Sequence, residues 1–188
     1  IGTMPQDLKF KGESNSVLIG ENNIIREYVT INPGTEGGGS ETVIGNNCTI
    51  VSDNNRAGIT VFTKFKLTAL FESKIIIGNN VSFNGTSISC RTTSITIGNG
   101  TIIGPNVIIV DSDFHGLLPP ENRENNLDYE SDKPVTIGSN VWIGMNTVIL
   151  KGVNIGNNSV ISAGTIVRND IPSNCLFGGN PAIKIRDL

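Results

Sequence analysis

Aliphatic residues recur at every sixth position through the stretch from Ile137 to Ile171. Six consecutive hexads open with an aliphatic side chain, at Ile137, Ile143, Ile149, Ile155, Ile161 and Val167. An α-helix repeats about every 3.6 residues and an amphipathic strand about every two, so a period of six fits neither. The pattern therefore predicts a stacked repeat architecture and not an ordinary α/β domain.

The hexads share two further features. A glycine often follows the opening aliphatic residue, and a small or β-branched residue stands at the fifth position, at Val141, Thr147, Val153, Ser159 and Thr165. Such hexads are typical of a parallel β-helix. With 22 glycines, 5% aromatic residues and recurrent asparagines, the composition favours tight corners between short strands. We therefore expect an all-β domain with almost no helix.

The same period runs through earlier parts of the chain, with interruptions. Apolar residues keep the spacing within four runs, at Ile19, Ile25 and Ile31, at Ile44 and Ile50, at Ile77 and Phe83, and at Ile97, Ile103 and Ile109. Between Ser52 and Ser73 the hexads lapse, which predicts a seam or a distorted coil. Ile109 and Ile137 are 28 positions apart, which is not a multiple of six. We therefore predict an inserted loop around 111–134, and such insertions often carry function.

Charge and cysteine content argue against several functions. A net charge of −3 and a pI near 5.1 do not suit a nucleic-acid binder, which needs a concentrated basic face. The cysteines Cys48, Cys90 and Cys175 are odd in number and widely spaced, so we expect buried free thiols, no disulfide framework and no metal site. No apolar run approaches about 18 residues, so we expect no membrane insertion and a cytoplasmic protein.

The first part of the chain resembles one known family. Residues 5–13, 24–31 and 34–39 are similar to a central stretch of bacterial UDP-N-acetylglucosamine acyltransferases, and the resemblance ends near Cys48. In that family the next coils bring an Ala-His-Asp segment with the catalytic histidine. This sequence has no histidine there, so the acyl-carrier-protein chemistry of that family is not carried over.

A second and longer resemblance covers about residues 56–188. The matching segments are 113–115, 134–144, 149–153 and 179–182. Together they resemble the sugar O-acetyltransferases of the hexapeptide-repeat superfamily, which include galactoside, maltose and capsule or lipopolysaccharide O-acetyltransferases. The resemblance implies a left-handed parallel β-helix with three hexads to each triangular coil.

The two resemblances predict a composite chain. We expect a single β-helix domain over 1–188, in which 1–54 supplies coils like those of the UDP-N-acetylglucosamine acyltransferases. Residues 55–188 would supply coils like those of the O-acetyltransferases, with a catalytic loop over 111–134.

The second family implies an acetyl-coenzyme A-dependent O-acetyltransferase that acts on a hydroxyl of a saccharide or glycan. The expected partners are acetyl-coenzyme A as co-substrate, a saccharide acceptor and two further copies of the chain in a homotrimer with sites between subunits. Neither a metal nor a nucleic acid is expected. Acyl transfer to a hydroxyl needs a base near the hydroxyl proton, a held acyl donor and hydrogen-bond donors that face the developing oxyanion.

His115 is the only histidine in the chain, and imidazole is the side chain that ordinarily titrates close to neutral pH. We predict that it is the general base and that Asp113 or Asp111 orients it. The alternative is that His115 is a solvated loop residue. By the family resemblance Asn84 lies beside the acceptor, one coil away from the histidine; its alternative role is that of a turn residue at the end of a strand.

Three further residues are expected to contact the acceptor. Asp111 and Arg123 belong to the inserted loop, although charged loop residues are more often only solvated. Trp142, the only tryptophan, stands at the sixth position of a hexad and should face outward. It either forms a wall of the site or packs against a neighbouring subunit or the loop.

Positions that match the coenzyme site of the family are spread over the last coils. They are Gly144, Met145, Ala163, Gly164 and Arg186, with Arg168 and Lys184 as further cations. Small residues matter in such a site because they let the pantetheine arm lie against the backbone. Arg168 and Lys184 are each displaced by one position from the family pattern, and in an extended segment this shift turns a side chain to the other face.

A second hypothesis is a non-catalytic structural or engineered chimeric β-helix scaffold. It rests on the composite character of the chain and on a first residue, Ile1, that is not methionine. Failure to bind coenzyme A would favour this scaffold over the enzyme.

Overall fold

The computed structural model describes residues 12–32, 38–54 and 61–188. In these ranges the chain forms short strands and two single-turn 3₁₀ helices, Pro120–Asn122 and Tyr129–Ser131. The first ten strands are β1 (Ser16–Ile19), β2 (Ile24–Ile25), β3 (Val29–Asn32), β4 (Glu41–Ile44), β5 (Thr49–Val51), β6 (Phe65–Ala69), β7 (Lys74–Ile77), β8 (Ser82–Asn84), β9 (Ser87–Cys90) and β10 (Ser94–Ile97). The others are β11 (Ile102–Ile103), β12 (Ile108–Val110), β13 (Val135–Ile137), β14 (Trp142–Ile143), β15 (Val148–Ile149), β16 (Asn154–Ile155), β17 (Val160–Ile161), β18 (Ile166–Val167), β19 (Cys175–Gly178) and β20 (Ile183–Asp187).

The strands form three sheets, and as far as β18 each sheet takes every third strand. The sheet orders are β1-β4-β7-β10-β13-β16, β2-β5-β8-β11-β14-β17-β19-β20 and β3-β6-β9-β12-β15-β18. Only the final pair, β19 and β20, is antiparallel among the paired strands. The chain therefore winds round three faces in turn, and the fold is the predicted left-handed parallel β-helix.

Strand register confirms that three hexads make one coil. Ile137 pairs with Ile155 on the first face, Ile143 with Ile161 on the second and Ile149 with Val167 on the third. Each partner lies 18 residues along the chain. Residues of the same hexad position are thereby stacked in columns.

The columns that open the hexads form the core. All six opening residues predicted from the sequence are at most 1% exposed, and so are the five residues at the fifth position. Burial of the aliphatic columns supplies the main stabilisation of the prism, at about 25 cal/mol for each Å² of apolar surface removed from water. The hexads predicted between Ile137 and Ile171 are thus confirmed.

Glycine follows the opening residue because the coils approach closely at the corners. A Cβ on Gly144 would lie 2.5 Å from the main-chain nitrogen of Ala163 in the next coil. Asparagines occupy left-handed turn positions, as at Asn140, Asn158 and Asn174, with φ between 56° and 59°. Their side chains bond from coil to coil, from Asn140 to Asn158 at 3.3 Å and from Asn158 to Asn174 at 2.9 Å.

The predicted seam between Ser52 and Ser73 is shorter than expected. Residues 55–60 lie outside the described ranges, but β6 (Phe65–Ala69) pairs in parallel with β3 and β9. Phe65, Leu67 and Ala69 are at most 1% exposed. These three residues alternate with more exposed ones and lie in the core, as the inward residues of the other coils do. The prediction of a distorted coil is therefore wrong from Phe65 to Ala69. The segments 5–11 and 34–37, which contribute to the first resemblance, also lie outside the described ranges.

Candidate active site

The predicted inserted loop leaves the prism between β12 (Ile108–Val110) and β13 (Val135–Ile137). It contains the two 3₁₀ turns, and its ends rejoin adjacent corners, since the main-chain nitrogen of Lys133 donates to the Asp111 carbonyl at 2.9 Å. The loop around 111–134 is therefore an excursion from an otherwise continuous coil.

Asp111 fixes the point at which the loop begins. Its carboxylate is fully buried and accepts hydrogen bonds from the main-chain nitrogens of Arg91 (2.8 Å), Thr92 (3.2 Å) and Thr93 (3.1 Å) and from the Thr93 hydroxyl (2.9 Å). The expectation that Asp111 contacts the acceptor or orients His115 is therefore wrong. Its carboxylate is inaccessible and serves the corner between β9 and β10.

Arg91 spans from that corner to the loop and was missed in the sequence. Its Nε and one terminal nitrogen donate to the two carboxylate oxygens of Asp132 at 2.8 and 2.6 Å. The guanidinium also donates to the main-chain carbonyls of Phe114 (2.8 Å) and Asp128 (3.1 Å), and it lies 4.7 Å from the centre of the Tyr129 ring. Both side chains of the Arg91–Asp132 pair are at most 5% exposed.

The environment of Asp132 keeps its carboxylate charged. Burial alone would raise the pKa of Asp132, but hydrogen bonds from Arg91, Thr92 and Ser112 outweigh burial and hold this pKa below its ordinary value. Hydrogen bonds to an ionised carboxylate favour the charged form. The pair is thus a charged, doubly hydrogen-bonded clamp within the protein.

Asp113 is committed to a second clamp. Its carboxylate lies 2.6 Å from the ammonium of Lys151, which also donates to the Ser131 hydroxyl at 3.1 Å. Lys151 thereby contacts both the first and the last part of the loop. The prediction that Asp113 orients His115 is wrong, because this carboxylate pairs with Lys151 and a different group bonds the imidazole.

His115 is held by the main chain of Arg123. Its Nδ1 lies 2.8 Å from the Arg123 carbonyl oxygen. A carbonyl oxygen can only accept, so Nδ1 carries the proton and donates it, and in the neutral imidazole Nε2 is then the acceptor. The side chain is exposed. In its neutral form the ring therefore has Nε2 as its proton acceptor on an exposed part of the loop, as a general base requires.

The other two predicted acceptor contacts differ in their surroundings. Arg123 turns its Nε back to the Leu117 carbonyl at 3.0 Å, so its main chain and its side chain both shape the loop. Trp142 faces outward, as predicted, and is 57% exposed.

Asn84 has the turn role that was its alternative. Its Oδ1 accepts from the main-chain nitrogen of Asp53 at 2.9 Å, and its Nδ2 donates to the Asp53 carbonyl at 3.1 Å. A side-chain amide has a second proton and a second lone pair. A contact of Asn84 with an acceptor therefore stays a prediction.

A groove of about 500 Å³ runs along the outside of the second face. Its walls include Trp142, Gly144, Met145, Val160, Ser162 and Ala163. Three of the positions predicted for the coenzyme are thus brought together with the tryptophan. Gly164 follows with φ +71°, and a Cβ built on it meets nothing within 4 Å.

The three predicted cations are all exposed side chains. Lys184 pairs with Asp187 at 2.7 Å, and this hydrogen bond raises the pKa of Lys184. Arg168 and Arg186 are exposed, and Arg186 lies on β20 (Ile183–Asp187). None of these three cations lines the groove.

The three cysteines are buried free thiols, as predicted. Burial raises the pKa of Cys48, Cys90 and Cys175 above the ordinary thiol value. In the described part of the chain no group of three metal-ligating side chains comes together, and no helix there is long and apolar enough to cross a membrane.

Residues 134–169 match the family of bacterial transferase hexapeptide repeats (six repeats). The chain carries the hexapeptide repeat of these transferases. This chain is 43% identical to the galactoside O-acetyltransferase of Escherichia coli K12 over 120 residues. The aligned part is 63% of this chain and 56% of that protein. It is 66% identical to the acyl-[acyl-carrier-protein]–UDP-N-acetylglucosamine O-acyltransferase of Aliarcobacter butzleri over 47 residues, 25% of this chain and 18% of that one.

The chain is thus similar to proteins of both families that its sequence indicated. The chain covers less than two thirds of the length of the galactoside O-acetyltransferase. Among solved structures, the polySia-specific acetyltransferase NeuO superposes with a TM-score of 0.70 at 26% identity, covering 95% of this chain and 78% of that one.

Proposed function

We propose that the protein is an O-acetyltransferase that transfers acetyl from acetyl-coenzyme A to a hydroxyl of a saccharide, with His115 as general base. The observation that carries the proposal is the hydrogen bond from His115 Nδ1 to the Arg123 carbonyl at 2.8 Å, because in the neutral imidazole it places the proton on Nδ1 and leaves Nε2 as the acceptor. The named relatives support the reaction class, since they include a galactoside O-acetyltransferase and a polySia-specific acetyltransferase.

The proposed reaction is a direct transfer. Nε2 of His115 takes the proton of the acceptor hydroxyl while the oxygen attacks the thioester carbonyl. The tetrahedral adduct collapses with cleavage of the carbon–sulfur bond, and the imidazolium returns its proton to the departing thiolate. No covalent intermediate on the protein is required. A positioned base of this kind contributes about 10²–10⁴-fold to the rate.

The groove on the second face is the proposed donor site. Gly144 and Ala163 have little or no side chain, so the pantetheine arm can lie against their main chains, with Met145 and Trp142 as apolar walls. Gly164 leaves open space beyond them. Arg168 and Arg186 are exposed and available to the phosphates, whereas Lys184 would first have to leave Asp187.

The assembly is proposed to be a homotrimer with a site at each interface. Trp142 is 57% exposed, and Ile102, its partner in the adjacent strand, is 53% exposed. Adjacent apolar side chains on an outer face are characteristic of protein–protein interfaces, and cyclic symmetry would cover each copy equally. We also propose the division into coils 1–54 and 55–188, and a cytoplasmic location, which the free thiols suit.

The function is tested by release of coenzyme A from acetyl-coenzyme A over a panel of mono- and oligosaccharides. Wild type should release the thiol with at least one acceptor, and His115→Ala should lose about 10²–10⁴-fold of that rate. Lys74→Met is the control, because the Lys74 ammonium pairs with Glu41 on the first face and Lys74 does not line the groove. Full activity of His115→Ala would overturn the mechanism.

The scaffold hypothesis predicts a different result. A non-catalytic β-helix would leave acetyl-coenzyme A unchanged and would show no heat of binding with coenzyme A in calorimetry. Binding of coenzyme A that is weakened by Trp142→Ala would contradict the scaffold.

A further inference from the structure

Arg91 ties the corner beneath the loop to both ends of the segment that carries His115. We propose that Arg91 is a positioning residue, which fixes the tautomer and the place of the His115 imidazole through the main chain of Phe114 and through Asp132. The inference rests on the proposed function only in that it treats His115 as the base.

The first tie is to the residue directly before the histidine. Arg91 donates to the Phe114 carbonyl at 2.8 Å, and this carbonyl belongs to the peptide group that joins Phe114 to His115. Phe114 has φ +66°, a conformation that non-glycine residues seldom adopt. The Ser112 hydroxyl accepts a hydrogen bond from the main-chain nitrogen of Phe114 at 2.7 Å. Arg91 and Ser112 therefore hold the two sides of Phe114 in an otherwise unfavourable turn.

The second tie is to the far end of the same segment. Arg91 donates to the Asp128 carbonyl at 3.1 Å and to both oxygens of Asp132. The Tyr129 ring, 4.7 Å from the guanidinium carbon, adds a cation–π contact. Arg123, whose carbonyl accepts the hydrogen bond from His115 Nδ1, lies between these two ends. The Arg91 guanidinium thus holds both ends of the loop segment that contains His115 and its hydrogen-bond partner Arg123.

Arg91 is itself fixed before the loop begins. Its main-chain nitrogen donates to the buried Asp111 carboxylate at 2.8 Å, so the rigid corner of the coil determines where the guanidinium stands. A guanidinium offers five donors in a plane and bonds in several directions at once, whereas a lysine ammonium is a flexible point charge. Lysine at this position could not satisfy Asp132, Phe114 and Asp128 together.

The chemical consequence concerns the imidazole proton. An unconstrained neutral histidine prefers the tautomer with the proton on Nε2, which could not act as a base at that atom. The Nδ1–H tautomer persists only while the Arg123 carbonyl stays in place. We infer that Arg91 acts on the reaction by keeping that carbonyl in reach of Nδ1.

The single histidine makes the test direct, because [¹⁵N]histidine labelling gives the ring signals of His115 alone. Long-range ¹H–¹⁵N spectra at a pH where the ring is neutral are compared for wild type, Arg91→Met, Arg91→Lys and Thr101→Val. Thr101 is a matched control, since its buried hydroxyl bonds the Gly138 carbonyl and no part of the loop. Wild type and Thr101→Val should show the Nδ1–H tautomer, and both Arg91 variants should move towards Nε2–H.

The proposal is overturned if wild type already shows Nε2–H, or if a folded Arg91 variant keeps the Nδ1–H signals. Should Arg91→Met fail to fold, Arg91→Lys, which retains the charge, gives the answer. In transfer assays both variants should lower kcat about 100-fold, as small misplacements of a reacting group do, with little change in the KM of the acetyl donor. If wild type transfers no acetyl group, the proposed function fails, while the tautomer spectra still decide the role of Arg91.

Discussion

The Nδ1 atom of His115 lies 2.8 Å from the carbonyl oxygen of Arg123, eight residues along the same loop. This bond replaces the carboxylate that often orients a catalytic histidine. A main-chain carbonyl is a neutral acceptor that does not become protonated. It therefore fixes the tautomer without adding a negative charge beside the imidazole. The orientation of the base therefore depends on the loop backbone and on the side chains that hold the loop.

Removal of the Asp132 carboxylate should destabilise the protein far more than removal of the Asp113 carboxylate. Asp132→Asn disrupts a buried pair and is expected to cost about 3–5 kcal/mol. Asp113→Asn disrupts a pair whose carboxylate side chain is 50% exposed, and we expect about 0–1 kcal/mol. Urea unfolding of both variants at neutral pH measures the difference, and equal costs would contradict the clamp described for Arg91 and Asp132.

The stabilisation from Asp132 should depend on pH. The pKa of Asp132 is lowered in the folded state from its ordinary value of 3.8. A carboxylate of this kind stabilises the fold fully above its unfolded pKa, and the stabilisation is lost as the pH falls through the folded pKa. The difference in unfolding free energy between wild type and Asp132→Asn should therefore be constant near neutral pH and shrink below about pH 3.8. A difference that grows on acidification would exclude a lowered pKa.

Gly144 and Gly164 should separate coil stacking from donor binding. A side chain at Gly144 would meet the main chain of Ala163, so Gly144→Ala should lower the unfolding free energy by about 1–3 kcal/mol. Gly164 has φ +71° and open space around it, and asparagine tolerates that conformation. Gly164→Asn should therefore melt close to wild type but raise the KM of acetyl-coenzyme A. A stable Gly164→Asn variant with an unchanged KM would remove Gly164 from the proposed donor site.

The single tryptophan reports on the groove. Trp142 is 57% exposed and lines the groove of about 500 Å³, so titration with coenzyme A should change its fluorescence. Trp142→Phe keeps an apolar ring and should bind coenzyme A more tightly than Trp142→Ala. An unchanged emission at saturating coenzyme A, with binding confirmed by calorimetry, would place the donor elsewhere.

The buried thiols should not interfere with these assays. Cys48, Cys90 and Cys175 are at most 2% exposed, and burial raises their pKa values, so little thiolate is available to react. The folded protein should leave Ellman's reagent uncoloured over the time of a coenzyme A release assay. The same protein in guanidinium chloride should release colour for three thiols, and rapid reaction of the folded form would contradict the burial.

The sequence predicted the parts of the fold that depend on local periodicity. The hexads from Ile137 to Ile171 and the break after Ile109 could be located because each coil repeats the same inward positions. The alternation of Phe65, Leu67 and Ala69 was overlooked, since this coil follows strand periodicity without the glycine that marks other hexads. A period of two over five residues was the available signal.

The candidate site was less predictable because its contacts join distant segments. The partners Arg91 and Asp132 are 41 residues apart, and no spacing rule connects them. One signal was present in the spacing: the core positions Ile88 and Ile97 are nine residues apart in place of six, which indicates a three-residue bulge. Arg91 lies in that bulge, and its main-chain nitrogen donates a hydrogen bond to the Asp111 carboxylate. The acidic residues near His115 suggested an orienting carboxylate, but both serve to hold the loop.

Single-turnover transfer from acetyl-coenzyme A to a saccharide acceptor tests the central claim most directly. Wild type and His115→Asn are compared at saturating donor, with coenzyme A affinity measured by calorimetry and folding by melting temperature. We expect His115→Asn to fold and bind coenzyme A like wild type and to transfer acetyl about 10²–10⁴-fold more slowly. A folded His115→Asn variant that transfers acetyl at the wild-type rate would contradict the assignment of His115 as the base.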